Sequence, residues 1–227
     1  MILASALLHD VGQYPFSHSI EDLRKLGNLW NVSDLTAIQH DQEMAAEVLH
    51  RKDQKGTSIA DLIAEMGTVD DLCYMFAKTP RLESVRPALN IGRDLISGVI
   101  DVDRVSYLLH DTARTGVPYA RAVDPVQLGE ALCVHSKNGS CSLGIAESGV
   151  SAVESVLAAV YWMYRNVYWH PVNRGFMAAV KEVFWRLLEA KAITFPQYFE
   201  AAYGRTDLEA LTWLNGRFDN WNESNDS

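Results

Sequence analysis

Apolar residues recur at helical spacing along almost the whole chain, which restricts it to folds built mainly from packed helices. Residues 2–9 form an apolar run that stops at Gly12, with Pro15 in the following turn. HSIEDLRKL over 18–26 reads as a short helix stopped by Gly27. In DQEMAAEVLHRK, opened by Asp41, the residues Met44, Ala45, Val48 and Leu49 fall on one buried stripe. Ser58 and Thr68 each precede an apolar-periodic run. Their hydroxyls can accept from backbone N–H groups that a first helical turn leaves without partners. Helical spacing continues over 82–96 and over 101–115, where Gly116 and Pro118 end it. It resumes over 151–168 and 173–191, with Pro171 between.

One stretch breaks the pattern. LCVHSKNGSCSLGI, residues 132–145, alternates loosely around Asn138-Gly139, a pair that suits a two-residue hairpin turn. The expected fold is all-α, a helical bundle with a small β-hairpin near residues 132–145. No repeat, low-complexity run or linker divides the chain, so 1–227 reads as a single domain. The polar tail DNWNESNDS is expected to fray.

Composition narrows the function classes. At 48% hydrophobic, the 227 residues can build a large core. A net charge of -9 argues against a surface coated with cations for general nucleic-acid binding. It leaves room for a local basic pocket; nucleic acid stays a partner that nothing here indicates. The predominantly apolar N-terminus lacks the basic region of a signal peptide, and no window reaches the roughly 18–20 apolar residues of a membrane span. Cys73, Cys133 and Cys141 are odd in number and show no C-x-x-C spacing, so they read as reduced and the protein as cytoplasmic.

The polar chemistry starts at His9-Asp10. Adjacent helical residues point about 100° apart, so the pair can meet one ion only from a helix end or strained turn. Gly12 and Pro15 supply such an end. An imidazole and a carboxylate suit a first-row divalent ion. His18 follows across the Gly/Pro turn, and His40-Asp41 opens a later helix. In IDVDRVSYLLHDTART, the residues Asp103, Tyr107, Asp111 and Arg114 are spaced four, four and three apart, on one helix face. Val102, Val105, Leu108 and Leu109 supply the apolar side. A tyrosine within a row of charges suits a cleft better than open solvent.

These segments resemble the HD-domain deoxynucleoside triphosphate triphosphohydrolases. LLHDVGQYPFSHSIEDL looks like that family's LLHDIGHGPFSHxFE, and IDVDRVSYLLHDTARTGVPY like its LDADRMDYLLRDSxxTGVxY. HDQEMAAEVL resembles an HEExS-type helix start, and AVESVLAAVYWMYRNVYWHPVNRGFMAAV a later MYxxVYxHxxxR pattern. The four matches cover about residues 1–190 in order.

The resemblance implies a divalent metal ion (Mn, Mg, Fe or Zn) held by His9, Asp10 and Asp103. It implies Arg104 on substrate phosphates, Tyr107 and Asp111 lining the triphosphate and sugar site, and Tyr168 against the nucleoside. His18, His40 and Asp41 match the catalytic set beside the metal. The reaction implied is hydrolysis of a dNTP to deoxynucleoside and triphosphate, and homo-oligomers are frequent in that family. Two departures stand out. The family's first metal histidine lies on a helix upstream of the dyad, which the chain is expected to lack. Gln13 stands where a histidine is common, and glutamine cannot relay a proton. These departures keep two alternatives open: a catalytically degenerate HD module that binds nucleotide or partner chains, and a nucleotide phosphatase or phosphodiesterase on the same scaffold. His50 and His135 read as surface residues, His170 as structural, and His110 as sitting at the stripe's edge.

Overall fold

The computed structural model describes residues 1–23, 44–76, 86–137 and 140–225. In chain order the helices are α1 (Ile2–Leu8), α2 (Ser17–Glu21), α3 (Ala45–His50), α4 (Ile59–Ile63), α5 (Val69–Phe76), α6 (Pro87–Ser97), α7 (Val102–Thr115) and α8 (Pro125–Glu130). The strands β1 (Leu132–Lys137) and β2 (Ser140–Ile145) follow. Then come α9 (Val150–Met163), a π-helical segment Tyr164–Tyr168, α10 (Pro171–Glu189), α11 (Phe195–Ala202) and α12 (Asp207–Asn225). The fold is mostly α with one two-stranded antiparallel hairpin. Its register runs from Leu132↔Ile145 to Lys137↔Ser140. The turn at Asn138-Gly139 lies outside the described residues, as do residues 24–27, His40, Asp41 and 82–85.

Local chemistry sets the helix ends. Ser58 accepts from the Asp61 N–H while the Asp61 side chain accepts from the Ser58 N–H, a reciprocal cap on α4. Thr68 and Asp71 repeat the arrangement before α5. Asp101 caps α7 by accepting from the Arg104 N–H at 2.6 Å. Gly116 closes the same helix in the left-handed region at φ 74, where a side chain would be strained. Pro171 does more than separate two helices. It is the first residue of α10, where its missing N–H costs nothing.

The chain forms two compact units, Met1–His9 with Leu49–His170, and Asp10–Val48 with Pro171–Ser227. In the first, Val105 and Leu108 of α7, Leu128 of α8 and Ala152, Val156, Ala159 and Met163 of α9 form the core. The hairpin packs through β2 against α6, and the Leu143 N–H donates to Asp94 at 2.9 Å. In the second, Tyr14 and Ile20 join Phe184, Leu187, Tyr198, Phe199 and Leu214. Tyr198 and Tyr203 donate their hydroxyls to the Pro15 and Val11 carbonyls, each at 2.7 Å, fixing the Val11–Phe16 turn to α11. The tail is a correction: α12 continues to Asn225 because Phe218 and Trp221 pack against this core. A polar-looking stretch with one partly buried aromatic per turn stays helical.

Candidate active site

In the first unit, α1 ends so that His9 is its C-cap residue. Its Nδ1 lies 3.0 Å from the Ala6 carbonyl. A carbonyl only accepts, so Nδ1 carries a proton, and Nε2 faces Asp103 as a lone pair in the neutral ring or as a second N–H in the charged one. Nε2 stands 3.4 Å from Asp103 Oδ1 in the first turn of α7. The Nε2 atom itself is buried, while the Asp103 side chain is 42% exposed. Asp10, the other half of the dyad, is exposed and belongs to the second unit.

This pair supplies the test for a metal. Two ligands each about 2.1 Å from one first-row ion stand roughly 3–3.5 Å apart, and 3.4 Å meets that. Two lone pairs facing each other are unfavourable without a cation or a proton between them. The donor set, one imidazole nitrogen and one carboxylate, fits a divalent ion. Among the described residues, no group of three His, Cys, Asp or Glu side chains gathers closely enough to hold an ion.

At the next position of α7, Arg104 is held by its own surroundings. Its guanidinium donates to the Val99 carbonyl and lies 3.8 Å from the Asp101 carboxylate. Its Nε is buried and makes no hydrogen bond, an uncommon state for a charged donor. Two turns further, Asp111 accepts a hydrogen bond from the Tyr168 hydroxyl at 2.7 Å. The Tyr107 and Tyr168 rings meet edge to face at 6.1 Å, and Tyr164 and Tyr168 at 5.1 Å. Burial, with the neighbouring Tyr164 second, pushes the Tyr107 phenol up to about 12. Burial and then the Asp111 carboxylate hold the Tyr168 phenol well above its ordinary value. Both are therefore neutral hydroxyl donors at physiological pH.

The spacing argument on α7 placed Tyr107 and Asp111 on one side, and the family resemblance named Tyr168; the fold brings all three together. Arg114 is exposed at the helix end. Tyr164 was missed. It sits in a dense aromatic run that read as core or interface, and only the π-helical turn brings it beside Tyr107 and Tyr168. Such turns recur at functional sites because they re-aim side chains.

In the second unit, Asp10, Gln13 and His18 line one cavity of about 510 Å³ together with Arg205 and Asp207. Phe16, at φ 59, sits in the left-handed region just before His18, a backbone cost of about 1 kcal/mol or more for a bulky residue. His40 and Asp41 lie outside the described residues. His50, His110, His135 and His170 are all exposed.

Residues 132–212 match the family model described as the HD associated region, which points to an HD-domain context. The chain is similar to an uncharacterized protein of Methanocaldococcus jannaschii, 30% identical over 75% of this chain and 30% of that protein. It is also similar to the uncharacterized protein YwfO of Bacillus subtilis, 34% identical over 77% of this chain and 34% of that protein. The chain thus spans about a third of the length of these curated relatives. Among solved structures, a hypothetical protein from Aquifex aeolicus matches with a TM-score of 0.62 at 25% identity, over 83% of this chain and 45% of that one.

Proposed function

We propose that the protein is a metal-dependent phosphohydrolase whose substrate is a nucleoside triphosphate of the deoxy series, cleaved to nucleoside and triphosphate. The observation that carries this reading is the His9–Asp103 pair at 3.4 Å, next to a helix face that offers a cation and neutral hydroxyls in sequence. His9 and Asp103 would hold the ion. When bound, the ion lowers the pKa of a water and draws charge from a phosphoryl oxygen.

The chain's own residues do the rest. Arg104 Nε is a buried donor with no acceptor, and a phosphate oxygen would complete it once the side chain turns outward. Tyr107 and Tyr168 stay protonated and can donate to sugar or phosphate oxygens. Asp111 holds the Tyr168 hydroxyl and so fixes its ring. His18 and Gln13 line the second unit's cavity. Of these, His18 can carry and release a proton, while Gln13 can only hydrogen-bond. His40 and Asp41 complete the proton-transfer set in this reading. The test is to incubate the protein with each dNTP and Mn or Mg and to separate the products. Nucleoside with triphosphate is expected; pyrophosphate or monophosphate would mark a phosphatase or phosphodiesterase instead.

A second reading is a degenerate module that binds nucleotide without turnover. It is favoured by the lack of any three-residue metal cluster among the described residues and by Gln13. Metal analysis of the purified protein separates the two, since stoichiometric metal is expected only for the enzyme.

A further inference from the structure

Helix α9 buries one face through Ala152, Val156, Ala159 and Met163. Its opposite face is open: Glu154, Leu157, Ala158, Tyr161 and Trp162 are all exposed, as is Arg165 just beyond. Leu157 is 46%, Tyr161 54% and Trp162 43% exposed. Steps of three and four keep positions 154, 157, 158, 161 and 165 on one side of the helix. A solvent-facing helix side is normally polar, so an apolar stripe of this kind marks a surface that another surface covers. Tyr119 stacks on Trp162 at 6.3 Å and widens the patch. Arg165 donates to the Tyr161 hydroxyl at 2.9 Å, which holds its charge at the end of the stripe.

The order of residues along the stripe says what covers it. We propose that this face pairs antiparallel with the same face of a second copy of this chain. The two-fold axis passes between Ala159 and Val160. Positions equidistant from that axis then meet: Glu154 against Arg165, Leu157 against Trp162, and Ala158 against Tyr161. Acid meets base at both ends, and in between a smaller side chain meets a larger one. An isologous interface needs a surface that complements itself under a two-fold rotation, and this stripe does. Parallel pairing would set Glu154 on Glu154 and Arg165 on Arg165, so the charges select the antiparallel arrangement. Apolar burial drives the association, while the exposed charge pairs set its direction. The proposal does not depend on the phosphohydrolase reading.

Sedimentation equilibrium on the full 227-residue chain should give twice the 25.4 kDa chain mass. Glu154→Arg places two cations at each end and Arg165→Glu two anions, so each variant alone should be monomeric. Mixing the two in equal amounts should restore a dimer, because every end of the mixed pair then holds one acid and one base. The double variant E154R/R165E should also dimerise, and it controls for folding. A wild-type monomer at every concentration, a single reversal that stays dimeric, or a mixture that stays monomeric would overturn the proposal.

Discussion

Asp111 and Tyr168 lie on different helical segments, and a 2.7 Å hydrogen bond joins them. Tyr168→Phe removes the donor and leaves a partly buried carboxylate short of a partner. The expected cost is about 1 kcal/mol of unfolding free energy, measured by urea denaturation. If the site binds nucleotide, the same change should raise KM more than it lowers kcat, because the hydroxyl positions and does not react. Unchanged stability would show the bond is not formed in solution. His9→Ala and Asp103→Asn address the other end of α7. Each should remove at least about 100-fold of any metal-dependent turnover, since losing a mere supporting contact to a ligand already costs 10–100-fold. Metal content should fall in parallel, and a variant that keeps its metal and its rate would exclude the pair as ligands.

At the scale of elements, the junction between hairpin and α9 depends on one missing side chain. A Cβ at Gly149 would overlap the Ala131 Cβ and stand 2.9 Å from Ile145 Cγ2. Gly149→Ala should therefore destabilise the protein by about 1–3 kcal/mol through overpacking, despite alanine's better helix propensity. A thermal melt equal to wild type would mean the hairpin shifts freely against the helix. The same scale shows what patterning could reach. The hairpin was legible because Asn-Gly flanked by alternation permits little else. The helix boundaries at Ser58 and Gly116 were legible from cap chemistry. The π-helical turn at Tyr164–Tyr168 was not, because it alters hydrogen bonding while leaving the apolar period almost intact. The last helix was also hidden, since Phe218 and Trp221 are two aromatics in a polar tail whose packing partners lie on distant segments.

At the scale of the whole molecule, four tyrosines respond alike to burial. Tyr107 is pushed up to about 12, and Tyr14, Tyr168 and Tyr198 are raised as well. A phenol whose pKa is higher folded than unfolded binds its proton more tightly in the folded state. Its contribution is complete below about pH 10, the unfolded value, and is lost as pH rises toward the folded one. Urea midpoints should therefore be level to about pH 9.5 and fall steeply above pH 10. A flat profile to pH 11 would show that these phenols are open to solvent. The Tyr168→Phe variant should lose part of that slope, which separates the titration from general alkaline unfolding.

Two kinds of information thus entered at different levels. Helical class, the hairpin, the caps and the face carrying Asp103, Tyr107 and Asp111 follow from residue spacing, because a helix or a turn is a local object whose geometry repeats every few residues. The meeting of His9 with Asp103 and of Asp111 with Tyr168, and the exposure of one face of α9, came only from tertiary packing. Contacts between residues far apart in sequence have no period, and their closure depends on which apolar faces bury one another.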